Sequence, residues 1–372
     1  MSKFALEGKK AMALGSVLAV AGVIVLAVLT TSYYPVTGQT PVTIISTYTR
    51  YSAAPQPPTI GSATAANITV GGSPGSAAID SSTNLIYVVD SQNITVINAF
   101  TDKVVNNFTL PAGAGGVAVN SKTGLLYLNN GTCPPCSASV IALNGTTGKQ
   151  VASLDFGVYV DGIAVNPNTN TVYAISADND MLYAINGTTN ELIANVTLPG
   201  PVFHIAVDPN TNAVYVAACT SSTISLACTV DLYAINDSTL SLTDLGPVDV
   251  DASGSMAVNS VTNTLYITSG NTLISMNTTT GAQTSTLLSA FPISCDGLAF
   301  DQLDNYVFVS CAPNTQLPSI FVLNGNDNQV LNSFTVSGSP GGMVFDGEIG
   351  SAFLVDQNGY VLQLLSTNTP LP

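Results

Sequence analysis

The chain has 372 residues, of which 46% are hydrophobic and only 8% charged, with a formal net charge of −15 and a pI near 4.1. After Arg50 the only basic residues are Lys103, Lys122 and Lys149, so there is no basic surface for a phosphate backbone and nucleic acid is excluded as a partner. With so few charges, Ser, Thr and Asn must cover the surface, a neutral polar coat that suits an exported protein and one in acid, where carboxylates lose their charge.

In chain order, residues 1–10 carry Lys3, Lys9 and Lys10, and Ala11 to Thr31 is 21 residues without a charge. That length spans a bilayer as a helix, and the preceding lysines predict a cytoplasmic N-terminus with the remainder outside, at the cell surface. A cleaved signal peptide and a pilin-like leader cut near Lys10 are the competing readings. Residues 32–63 are rich in Thr, Ser, Pro and Ala and include Pro41, Pro55, Pro57 and Pro58. They read as a semi-extended stalk, although Thr43 to Tyr51 has the composition of a strand.

From about residue 64 to 366 the sequence repeats. Gly162 to Pro199 is the clearest copy, four short β-rich runs separated by Asn-Pro, Asp-Asn-Asp and Asn-Gly turns. An Asn or Asp closing the first run is followed seven residues later by an aromatic: Asp80 and Tyr87, Asn120 and Tyr127, Asn166 and Tyr173, Asp208 and Tyr215, Asn259 and Tyr266, Asp301 and Phe308, Asp346 and Phe353. The Asx side chain suits the tight turn that follows, and the aromatic fills the space between sheets. Seven four-stranded copies spaced 40 to 51 residues apart predict an all-β, seven-bladed β-propeller. The seventh copy lacks a fourth run, and Ile68 to Gly75 aligns with Phe334 to Gly341, the fourth run and exit loop of the sixth. An N-terminal strand is therefore expected to close the ring, followed only by the tail 367–372.

Nine N-x-[ST] sequons, at Asn67, Asn93, Asn107, Asn130, Asn144, Asn186, Asn195, Asn236 and Asn277, read as glycosylation acceptors behind an export segment. The six cysteines follow blade geometry. Cys219 ends a second strand and Cys228 opens the third, Cys295 precedes the first strand of blade six and Cys311 ends its second, and Cys133 and Cys136 share a Cys-Pro-Pro-Cys loop. An even count in an exported chain predicts the pairs Cys133–Cys136, Cys219–Cys228 and Cys295–Cys311. The C-x-x-C pair also admits a redox or metal reading, without the βαβ context or the further ligands that chemistry needs.

The motif V-[ND]-P-x-T-N-x-V-Y, at Val165 to Tyr173 and Val207 to Tyr215 and followed after the first of these by A-I-N-G-T-T, resembles the YVTN-type β-propeller repeats common in archaeal cell-surface and surface-layer proteins. The resemblance covers the whole repeat region and implies the propeller fold. Related seven-bladed propellers include non-enzymatic surface modules as well as lactonases and quinoprotein-like oxidoreductases, so it implies no single activity.

Chemistry in such a fold would sit at the mouth of the central channel, where the first strands begin. Five residues before each Asx marker stand Gly75, Gly115, Asp161, Phe203, Gly254, Asp296 and Gly341, with His204, the sole histidine, one residue on. Asp161, His204 and Asp296 are candidate ligands for Ca²⁺ or another divalent metal, with Asp178 and Asp180 approaching the same face. The alternative is that Asp161 and Asp296 are loop ends satisfied by local donors. No catalytic residue or organic cofactor is indicated, and no G-x-S-x-G motif is present. The sequence favours a membrane-tethered extracellular module that binds surface proteins or glycans, with a channel-mouth enzyme or metal-binding protein as the alternative.

Overall fold

The computed structural model describes four three-residue strands between residues 18 and 44 and most of 66–365; residues 91, 111–112, 133–136, 221–228, 250–253, 291–292, 303, 314–317 and 337 and the remainder of both ends lie outside the described set. The chain divides into two compact units, 1–57 and 58–372. In the first, Leu18–Val20 pairs antiparallel with Val23–Val25, and Thr31–Tyr33 with Val42–Ile44. The membrane helix expected over 11–31 falls mostly on residues outside the described set, and among the described residues no helix is long and apolar enough to cross a membrane.

The second unit is seven four-stranded antiparallel sheets. Blade 1 comprises Pro74–Asp80, Leu85–Asp90, Asn93–Asn98 and Lys103–Thr109; blades 2 to 6 follow at 114–155, 162–197, 202–248, 256–287 and 293–335. Blade 7 takes three strands from the C-terminal end, Pro340–Asp346, Ser351–Asp356 and Tyr360–Leu365, and its fourth, Ala66–Thr69, from the beginning of the unit. The register is Tyr360 with Thr69 through Gln363 with Ala66, the closure expected from the sequence. Each inner strand contacts the inner strands of both neighbouring blades, and the last contacts the first, so the sheets form a ring.

Strand position explains the patterning. Along the second strand of blade 1, Ile86 and Val88 pack toward blade 7 while Tyr87 and Val89 pack toward blade 2. Because both faces are covered, such strands read as unbroken apolar runs rather than as alternations. The fourth strands lie at the rim, and Leu192–Thr197 is half exposed. Seven apolar clusters result, one between each adjacent pair of blades. The marker aromatics are at most 4% exposed, and each contributes on the order of 1.5–3 kcal/mol of burial.

All seven Asx markers end their inner strands and are at most 3% exposed. Their Oδ1 atoms accept backbone N–H groups of the next turn, as in Ser82 to Asp80 at 3.1 Å, Asn168 to Asn166 at 3.1 Å and Asn210 to Asp208 at 2.9 Å. Four residues on, the turn closes in the left-handed region, which tolerates Asn and Gly: Asn84, Asn170, Asn212, Asn263 and Asn305 have φ of 53–61°, and Gly124 and Gly350 take the other two positions.

Candidate functional site

The channel mouth is built by a repeated irregularity. In blades 1, 2, 4 and 6 the pairing of first and second strands shifts register by one residue, leaving Gly75, Gly115, Phe203 and Asp296 unpaired; in blade 7, Gly341 and Gly342 are left out. These are β-bulges at the positions that the sequence places five residues before each marker. A bulge turns the strand and re-aims one side chain, a device common beside functional sites. With glycine at most of these positions, the mouth is lined by backbone and left open.

A cavity of about 330 Å³ occupies one side of the mouth, lined by Gly75 to Ala77 of blade 1, Ser255 of blade 5, Asp296 to Leu298 of blade 6, and Gly341 to Met343 with Gln357 of blade 7. Its polar side chains are Ser76, Ser255, Asp296 and Gln357. Asp296 is the one charged lining residue, exposed, and its Oδ1 accepts the Ser294 hydroxyl at 2.9 Å. The bulge at Asp296 lies between Cys295 and Gly297, and Cys295 is directly opposite Cys311 and disulfide-bonded to it. Blade 6's first two strands thus begin earlier and end later than expected, Ile293–Asp301 and Tyr306–Pro313, so the two cysteines sit inside the ladder rather than at its ends. The covalent link fixes the strand pair at the point where Asp296 leaves it. Cys133, Cys136 and Cys228 lie outside the described residues, and Cys219 has no disulfide partner among the described ones.

The other expected mouth residues are separated among blades. The Oδ2 of Asp161, in blade 3, accepts the Ala177 N–H at 2.7 Å. Burial pushes its carboxyl above the usual range, the Ala177 N–H pulls against that, and neighbouring Asp178 adds to the rise. Asp178 in turn accepts the Tyr159 N–H at 3.2 Å, and Asp180 takes a left-handed turn conformation, φ 56°. His204 follows the bulge of blade 4 and pairs with Ala217. Among the described residues no group of three His, Cys, Asp or Glu side chains is placed to hold a metal ion. Asp161, His204 and Asp296 therefore do not converge as a shared three-ligand centre: they belong to blades 3, 4 and 6, and the two carboxylates accept local donors.

Sequence reasoning missed the second-strand residues that tie blades together at the mouth. Asn129, 6% exposed, accepts the Gly116 N–H and donates to the Val160 carbonyl of blade 3 at 2.9 Å. Ser310 donates to the Gly341 carbonyl of blade 7 at 3.1 Å. Both stand two residues after the marker aromatic, where most copies hold an apolar residue; a polar residue interrupting that run was the available signal. No side chain fits at Gly297, because a Cβ there would lie 2.1 Å from Ser310 Oγ and 2.5 Å from the Gly341 carbonyl oxygen.

Closed ring, interlocked turns and glycine-lined mouth together define a seven-bladed β-propeller. Residues 90–208 match the family model described as methylamine dehydrogenase heavy chain (MADH). No curated protein matches. Among solved structures, hydrazine synthase of Kuenenia stuttgartiensis is similar, with a TM-score of 0.68 and 10% identity over 81% of this chain and 98% of that one, a likeness of fold.

Proposed function

We propose that the chain is an extracellular, membrane-tethered propeller whose channel mouth recognises a partner at the cell surface, a protein or a glycan. The observation that carries this reading is the ring of bulges, which holds the mouth open and lines it with glycine backbone and the polar groups of Ser76, Asp296 and Gln357. Such a surface offers many hydrogen-bonding groups on a rigid frame, the arrangement that binding loops exploit. The low charge, the nine sequons, the Cys295–Cys311 disulfide and the resemblance to YVTN-type surface propellers support export. The uncharged segment 11–31 supplies the tether and 32–63 the stalk.

The match of residues 90–208 to a dehydrogenase heavy chain favours a second reading, a propeller within an oxidoreductase assembly. One comparison tests both. A Cβ on Gly75 meets nothing within 4 Å and its φ is ordinary, so Gly75→Phe puts a large side chain into the mouth without disturbing the fold. Full-length wild type and variant are to be applied to a glycan array and to solubilised envelope proteins. The variant is expected to retain the wild-type melting temperature and to bind at least about tenfold more weakly, a loss of roughly 1.4 kcal/mol. Equal binding by both proteins contradicts recognition at the mouth, and amine-dependent reduction of a dye by the wild type favours the second reading.

A further inference from the structure

The junctions between blades follow a rule with two exceptions. Where the marker is Asn, its Nδ2 donates to the left-handed Asn of the next blade: Asn120 to Asn170 at 2.7 Å, Asn166 to Asn212 at 3.0 Å, and Asn259 to Asn305 at 3.1 Å. Where Asp80 and Asp301 are the markers, the next blade has Gly124 or Gly350 at that position, with no side-chain oxygen to face the carboxylate. Two junctions set an Asp marker against an Asn, Asp208 with Asn263 and Asp346 with Asn84. Among the described residues, Asp208 Oδ2 and Asp346 Oδ2 are the only buried marker oxygens without a hydrogen-bond partner.

At the second of these the atom equivalent to the acceptor in the Asn junctions is orphaned too, for Asn84 Oδ1 is buried and unpartnered. Asn84 reaches the blade 7 turn directly, its Nδ2 donating to Glu348 Oε2 at 3.1 Å. Turning the amide over would give Asp346 Oδ2 a donor only by setting the amide oxygen against the Glu348 carboxylate that now accepts the N–H. Two buried acceptors at one junction need a donor between them. The repeat shows which atom carries it, since in three other blades the corresponding marker atom bears a hydrogen.

We propose that in acid Asp346 of the folded protein is a neutral carboxylic acid and donates its O–H from Oδ2 to Asn84 Oδ1, and that it loses this donor as the pH rises to neutrality, making the seam between blades 7 and 1 an acid-stabilised latch. This seam joins the two ends of the ring. Asp346 is 0% exposed, its Oδ1 accepts the Glu348 N–H at 2.9 Å, Glu348 is the titratable group that faces it from its own turn, and blade 1 contributes the neutral amide of Asn84. Burial pushes its carboxyl above the ordinary range; the Glu348 and Ile349 N–H groups oppose the rise and the Glu348 charge adds to it. A carboxyl raised on folding contributes stability that is full below its unfolded pKa, about 3.9, and is lost as pH rises through the folded value.

The test is the melting temperature of the full-length protein and of Asp346→Asn at pH 4 and pH 7. The amide supplies its N–H at every pH, so the variant should match wild type at pH 4 and melt about 2–4 °C higher at pH 7. Asn84→Gly recreates the Asp–Gly junctions at a φ of 54°, which glycine accepts, and should lose its stability relative to wild type mainly at pH 4. A difference between Asp346→Asn and wild type that is equal at both pH values, or an Asn84→Gly deficit confined to pH 7, overturns the proposal. It is also overturned if Ca²⁺ raises the wild-type melting temperature at pH 7 and leaves that of Asp346→Asn unchanged, because the two oxygens would then share a cation.

Discussion

At Tyr173 the marker aromatic does more than fill space. Its hydroxyl donates to Asp237 of blade 4, which also accepts Asn166 Nδ2 at 2.6 Å and the Thr169 hydroxyl. Tyr127 likewise donates to Asn190 of blade 3 at 2.7 Å, and Tyr266 to the Gly325 carbonyl of blade 6 at 3.0 Å. Each ring is buried in one junction and its hydroxyl clasps the third-to-fourth-strand turn of the next blade. Tyr173→Phe, which leaves a buried acceptor one donor short, should cost about 1–3 kcal/mol in urea unfolding. Burial pushes the phenols of Tyr127 and Tyr266 up to about 12, and burial together with Asp80 does the same for Tyr87. A phenol raised on folding contributes stability that is full below about pH 10 and fades toward pH 12. Ultraviolet titration should show a group of tyrosines ionising only as the fold is lost; ionisation of every tyrosine near pH 10 with the fold intact would contradict the clasp. The glycine of A-I-N-G-T-T has a steric cause: a Cβ on Gly187 would lie 2.5–2.8 Å from Asn170 and Asn120. Gly187→Ala should therefore destabilise by about 1–3 kcal/mol. The Asx and aromatic markers were legible because they recur in every copy. Asp237 and Asn84 were not, because their partners lie 64 and 264 residues away, a distance that no local pattern encodes.

Among the elements, the closing strand Ala66–Thr69 was the most legible, because its sequence repeats that of a complete blade's fourth strand. Ile68 packs between blades 7 and 1, and the strand covers the otherwise open edge of Tyr360–Leu365. A chain beginning at Ser73 should aggregate or melt well below one beginning at Ser62; equal melting temperatures would remove closure from the energetics. The Cys295–Cys311 pair was legible from blade register, since 16 residues separate two strand positions that an antiparallel ladder brings together. Its direct opposition was not, because the extra residue that shifts the register is a bulge and Asp296 looks like any loop acid in sequence. On chain-entropy grounds, replacing both cysteines with alanine should cost up to about 3 kcal/mol, read as a lower urea midpoint with unchanged slope. Whether Asp161, His204 and Asp296 meet was not legible in the same way: blade arithmetic puts them near the starts of their inner strands, but position in a blade does not give distance across a ring, and among the described residues no three such side chains are grouped to hold a metal.

For the molecule as a whole, stability is distributed over seven similar seams, each an apolar cluster with an Asx turn beneath it, and the ring has no terminal blade to fray. In such a frame most of the fold's determinants lie in the seams, with a few at the mouth such as Gly297 and Ser310, which is why the sequence specifies the architecture closely while the proposed recognition falls to a few exposed groups such as Asp296. The proposed function further requires that the ring lie outside the cell and remain held to the membrane. The direct measurement is labelling of intact cells with a membrane-impermeant amine reagent, followed by fractionation and peptide mapping of Lys103, Lys122 and Lys149. All three are exposed, and they are the only side-chain amines in the propeller. An exported, tethered propeller will be labelled at these lysines without lysis and will stay with the membrane through a high-salt wash. Labelling that appears only after the cells are broken, or release of the chain into the wash, would contradict it.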